Sequence, residues 1–133
     1  MKLKASPVKA VVAKVEKPVA APPVSATGVE EIVRQAARKY GLDENHLVSI
    51  AMCESTMNPS AVNYDYWEDQ NGVAMGGVGQ KYHPSGLIQH ITKYYPARAQ
   101  KYGYSTDVFD AYSNANTTAA MFADGLSYLW ECS

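Results

Sequence analysis

The chain has 133 residues, enough for one domain with one hydrophobic core and too few for two. Its 12 Lys and Arg nearly cancel its 13 Asp and Glu, so no strong field singles out nucleic acid or an anionic membrane as a partner. No apolar run approaches the length of a transmembrane helix. Ten tyrosines stand against two phenylalanines. Tyrosine has a flat apolar face and a polar rim, which suits either the edge of a small core or a wet groove that holds sugars.

Residues 1–27 are built from Ala, Val, Pro and Lys and carry four of the seven prolines. This composition predicts a disordered or polyproline-like tether, with the domain occupying 28–133. The opening Met1-Lys2-Leu3-Lys4 resembles the start of a signal peptide, but no apolar stretch follows. Export would then rely on a signal upstream or on another route.

Thr27 and Glu30 have capping-box spacing, and Ile32, Val33, Ala36, Ala37 and Tyr40 form an apolar helical stripe that Gly41 closes. Asp43 caps a second helix that runs until Asn58-Pro59 stops it. The stretch from Tyr64 to His83 is rich in Tyr, Trp, Asp and Gly and has no period, which predicts a long loop. Pro84 to Ile91 suits a short helix, the segment from Pro96 to Tyr102 another, and Asn114 to Trp130 a last one. In that last helix Ala115, Ala119, Phe122, Leu126 and Leu129 share a face. The expected fold is mainly helical, without internal repeats.

In the second helix Leu47, Ile50, Ala51 and Glu54 fall at i, i+3, i+4 and i+7, placing a carboxyl on an otherwise apolar face. Desolvation and the negative end of the helix both disfavour its anion. Both raise the pKa, as a general acid working near neutrality requires. The competing reading is a glutamate that reaches solvent from the last turn or pairs with an arginine such as Arg98.

Cys53 and Cys132 are the two cysteines, so they form either one bridge or two free thiols. A bridge would pin the chain's end to the helix carrying Glu54 and add about 4 kcal/mol in the chain-entropy model. A cysteine nucleophile would need His46, His83 or His90 beside Cys53, and no signature surrounds it. The histidines lack zinc spacing. Asp69 and Asn71-Gly72 hint at a calcium loop, but Trp67 stands where that pattern needs an oxygen ligand. Neither a metal nor a cofactor is expected.

The string from Cys53 to Asn63, with Glu54-Ser55, then Asn58-Pro59 and an apolar-Asn ending, resembles the catalytic segment of the soluble lytic transglycosylase and goose-type lysozyme superfamily. Gly86-Leu87-Ile88-Gln89-His90-Ile91 is similar to that family's second motif, with Ile88 in place of the common Met. Phe109-Asp110 and Asn114, with the closing Ala-rich helix, resemble the third segment, and Tyr112-Ser113-Asn114 is an approximate echo of its Tyr-Asn motif. The likeness covers roughly Val29 to Cys132, and Tyr64 to His83 then looks like an insertion.

The resemblance implies a lysozyme-like compact helical domain that cleaves the β-1,4 bond after N-acetylmuramic acid in peptidoglycan. Glu54 would protonate the glycosidic oxygen and then, as base, deprotonate the sugar's own 6-hydroxyl to give a 1,6-anhydro product. It also implies that Asn63 and Gln89 hydrogen-bond the glycan, that Ile91 lines the groove, and that Ser55 braces the catalytic helix. Tyr64, Tyr66, Trp67 and Tyr82 are candidates to stack on sugar rings. Asp65, Glu68 or Asp69 could supply the second carboxylate of an inverting hydrolase, a muramidase. A wall-binding or assembly module without turnover is the non-enzymatic alternative. The expected setting is extracellular or the cell envelope, and the expected state a monomer on glycan strands.

Overall fold

The computed structural model describes residues 26–72 and 80–133, so the expected tether and the Thr27 capping side chain lie outside the described residues. Helix α1 (Ala26–Lys39) begins just inside the stretch expected to be tether. It turns Val29, Val33, Ala36 and Ala37 into the core, the i, i+4, i+7, i+8 stripe of an amphipathic helix. Helix α2 (Glu44–Ser55) starts at Asp43, whose side chain accepts from the Asn45 and His46 amides, satisfying two donors that a helix start leaves open. Leu47, Ile50 and Ala51 are buried, as their spacing predicts.

The segment from Pro84 to Ile91 is not a helix. Strands β1 (Pro84–Ser85) and β2 (His90–Ile91) pair antiparallel, with Pro84 opposite Ile91 and Ser85 opposite His90. A third segment joins them, since Asn63 N donates to Pro84 O at 2.9 Å and Gly86 N to Ala61 O at 2.8 Å. Helix α3 (Tyr95–Tyr102) has Pro96 in its first turn, where a missing N–H is harmless.

Helix α4 (Ala111–Ala123) begins three residues earlier than expected and is buried on nearly all sides, at Ala111 and from Ser113 through Met121. It ends at Ala123 and does not reach Trp130, because Gly125 (φ +85°) turns the chain out of the helix. A short 3-10 turn (Ser127–Leu129) follows. Ala115 and Ala119 therefore join the core, whereas Leu129 is exposed.

The turn inside the β1–β2 hairpin shows why it is not helical. Gly86 has φ +89°, and a Cβ there would meet Asn114 Nδ2 and Val108 O at 2.4 Å each. Asn114, wholly buried in α4, accepts from Ile88 N at 2.9 Å and donates to Val108 O at 2.9 Å. One side chain thus joins the hairpin, the 108 loop and the central helix, and tertiary packing overrides the helical reading of the apolar spacing.

Candidate active site

Glu54 sits in the last turn of α2, facing a groove of about 790 Å³. Ser55 braces that helix end: its Oγ donates to Ala51 O at 3.3 Å and accepts from Asn58 N at 3.0 Å. Thr56 and Met57 then take left-handed backbone (φ 54° and 64°), a sharp exit that the crowding of each Cβ against a carbonyl oxygen makes costly. Their amides bond back to Met52 and Ala51 carbonyls, closing the helix.

The Glu54 carboxyl is half-buried, and burial raises its pKa above the usual carboxylate value. The nearby Glu131 charge raises it further, while a hydrogen bond from Cys132 N to Glu54 Oε2, at 3.2 Å, pulls it down. The Arg98-paired alternative fails, and the snorkelled one holds only in part. Glu54 is partly covered by the chain's C-terminal strap, and Arg98 bonds His90 instead.

The strap is fastened twice. Trp130 Nε1 donates to the Ile88 and Gln89 carbonyls at 3.2 and 3.0 Å, with its ring edge-on to His90. Cys132 is disulfide-bonded to Cys53, the residue next to Glu54, across a sequence separation of 79.

Asn63, Gln89, Ile91 and Tyr66 line the same groove as Glu54. The Asn63 Oδ1 accepts from Asp65 N at 3.0 Å, leaving its amide nitrogen as donor. Gln89 donates through Nε2 to Gly86 O at 2.8 Å and Ala61 O at 3.3 Å, leaving its amide oxygen as acceptor. A donor and an acceptor of this kind suit an acetamido or hydroxyl group.

Tyr64, Trp67 and Tyr82 do not line this groove. Tyr64 is exposed with its ring against His83 at 5.1 Å, and Lys81 lies over the Trp67 ring at 4.3 Å. Tyr82 lines a shallower pocket with Gln70, Asn71 and Lys93. The 64–83 excursion is closed at its base by paired Glu68 and Tyr82 amides.

Of its three acids only Glu68 reaches the groove. Asp65 is exposed, and Asp69 is buried with Oδ1 holding Asn71 N at 2.8 Å. Glu68 accepts from Tyr94 Oη at 2.7 Å, Lys93 Nζ at 3.2 Å and Tyr66 Oη at 3.1 Å. Burial pushes its pKa up, but these donors outweigh it and leave the carboxyl below its ordinary value.

The groove also holds residues that the sequence reading did not assign to it: Tyr94, Arg98, Leu129, Trp130 and Glu131. Tyr94 and Arg98 straddle Pro96 at i, i+4, but no local pattern marks them. Trp130 was hidden by the expected extension of the last helix.

Among the described residues no group of His, Cys, Asp and Glu is arranged to hold a metal, and no helix is long and apolar enough to cross a membrane. A family model for the transglycosylase SLT domain matches residues 31–130. The chain is 31% identical over 99 residues, 74% of its length, to the membrane-bound lytic murein transglycosylase C of Mannheimia succiniciproducens, and spans 23% of that relative. No solved structure gives a significant match. With the model covering all but the ends of the domain, and a single carboxyl raised by burial on its groove, the chain belongs to the transglycosylase SLT family of lysozyme-like domains.

Proposed function

We propose that this domain cleaves the β-1,4 bond between N-acetylmuramic acid and N-acetylglucosamine in peptidoglycan, without consuming water. The observation that carries the reading is Glu54 itself. It is a half-buried carboxyl held near its proton by desolvation, on the same groove as Asn63 and Gln89. A protonated Glu54 gives its proton to the glycosidic oxygen as the C1–O bond breaks, and the muramyl acetamido oxygen closes on C1. The resulting carboxylate takes the proton from the 6-hydroxyl, whose oxygen displaces the acetamido oxygen to leave a 1,6-anhydro ring. Glu54 ends protonated, and one carboxyl suffices.

The hydrolase alternative needs a second carboxylate to activate water. Glu68 is the groove's candidate, but three hydrogen-bond donors hold its anion and lower its pKa. They stabilise its anion and make it a weaker base, and so favour the transglycosylase. The family relationship and the membrane-bound relative support a working place in the cell envelope.

The decisive experiment is mass spectrometry of muropeptides released from purified peptidoglycan, wild type beside Glu54→Gln. Anhydro-muramyl products from the wild type, with release by the variant reduced by at least about a hundredfold, are expected. Products one water heavier would mean hydrolysis. Equal release by both proteins would remove Glu54 from the chemistry, and no release by either would favour a wall-binding module.

A further inference from the structure

Arg98 is a cation without a carboxylate. Arg34, Arg38 and Lys93 each have a Glu oxygen within 3.2 Å. Among the described residues Arg98 has no such partner, although it lines the same groove as Glu54, Glu68 and Glu131. It is partly buried, and that burial lowers its pKa, with Tyr94 and Glu68 offsetting it only in part through longer-range attraction.

Among the described residues its guanidinium has one hydrogen-bond partner, and that partner is neutral. Thr118 Oγ1 donates its proton to Asn114 O at 2.8 Å, so at 2.7 Å it accepts from His90 Nε2–H. The other ring nitrogen, Nδ1, therefore carries a lone pair, which accepts from Arg98 Nη1 at 3.0 Å. His90 is fully buried, and its burial together with the Arg98 charge holds it far from protonation. This imidazole fixes the guanidinium without neutralising it.

The rings of Tyr94 and Trp130 flank the guanidinium at 5.3 and 5.8 Å, which fixes its plane. A guanidinium has five N–H donors; one is used by His90. A fixed plane with spare donors on a groove matches a carboxylate, which arginine binds through two parallel hydrogen bonds.

We propose that Arg98 anchors a carboxylate-binding subsite, which takes an acidic group carried on the muramyl sugar. The inference rests on the reading that glycan strands occupy this groove. Two sources share that chemistry: the lactyl carboxylate of a strand stripped of its peptide, and a carboxylate of the peptide stem itself. Glu54 and Glu68 leave this subsite open because neither pairs with Arg98: Cys132 N bonds the first, and Tyr94 and Lys93 the second.

The test is a protein-observed NMR titration of the full chain with N-acetylglucosaminyl-N-acetylmuramic acid, which lacks the bond to be cleaved. Its lactyl methyl ester and its peptide-bearing form are titrated alongside. The acid or the peptide form should bind about tenfold or more tightly than the neutral ester, and whichever does so names the source. Arg98→Gln should abolish that difference and Arg98→Lys should retain part of it, while the comparison of acid with ester in the unmutated chain needs no variant to fold. Equal binding of acid, ester and peptide form would overturn the subsite and leave the glycan groove standing. No binding of any of them would overturn the glycan groove, and the subsite with it.

Discussion

The two sides of the groove are held by different means. On the hairpin side, buried Asn114 bonds Ile88 N and Val108 O, Gly86 packs with no room for a side chain, and Trp130 closes over the carbonyls of Ile88 and Gln89. On the excursion side, Glu68 is held by the tips of Tyr66, Lys93 and Tyr94, and a Cβ at Gly72 would touch only the side-chain tips of Lys93 and Glu68, at 3.9 and 4.0 Å. The first side fixes Gln89 and Ile91 to the core; the second hangs its groove residues on long side chains. Rigid elements hold a reacting geometry better than loops do, so the hairpin side carries positioning and the excursion side is free to vary.

Gly86 and Gly72 test this contrast directly, because their backbones are nearly alike (φ +89° and +87°) and their surroundings are not. In Gly72→Ala the new Cβ meets nothing closer than Lys93 Nζ at 3.9 Å, so only left-handed strain is added, about 1 kcal/mol. In Gly86→Ala it would meet a backbone oxygen and the Asn114 amide at 2.4 Å, and a loss above about 4 kcal/mol is expected. Urea unfolding of the two variants measures both. Similar losses would mean that the hairpin side yields as readily as the excursion.

The C-terminal strap is the second fastening of the hairpin side. Replacing Cys53 and Cys132 by alanine releases a loop closed over a separation of 79 residues, worth about 4 kcal/mol in the chain-entropy model. The melting temperature should drop by more than about 10 °C. Because Cys132 N also donates to Glu54, cleavage should slow while the product stays anhydro. An unchanged melting temperature would mean that Trp130 alone holds the strap.

Much of this scaffold was legible in the chain. Val33, Ala36 and Ala37 announced α1, Asp43 announced α2, and the apolar neighbours of Glu54 at i−7, i−4 and i−3 put it on a covered face. The hairpin was not legible, because Leu87, Ile88 and Ile91 have helical spacing and the reason for Gly86 lies at Asn114, 28 residues later. The end of α4 carried a readable signal, Asp124-Gly125, that the run of apolar residues beyond it masked. Of the groove's aromatics only Tyr66 was legible. Tyr66 reaches the groove while Tyr64, Trp67 and Tyr82 do not, since which way an excursion turns depends on partners such as Lys93 and Tyr94.

If the excursion side holds no reacting group, Glu68→Gln should alter cleavage by less than about fivefold and leave the product anhydro. Loss of a true general base would cost about a hundredfold to ten-thousandfold. Muropeptide release by this variant under initial-rate conditions separates the two. A large loss, with reducing-end products in the wild type, would move the chemistry to Glu68 and reverse the assignment of the two sides.

The smallest expected effect is on pH dependence, and it asks whether the strap tunes Glu54 as well as covering it. As the proposed acid, Glu54 must be protonated to donate, so kcat/KM should fall as pH rises through its raised pKa. A carboxyl raised by folding also stabilises the folded state below its unfolded pKa, and that contribution is lost as pH rises through the folded value. Glu131→Gln removes a negative charge that favours the proton on Glu54. The falling limb should therefore move to lower pH, and the loss of fold stability with rising pH should become smaller and be complete at lower pH. Glu131 is exposed, so the shift should be largest in dilute buffer and fade as the screening length contracts to about 8 Å at physiological salt. A limb that stays put at low salt would leave burial as the dominant influence on this acid.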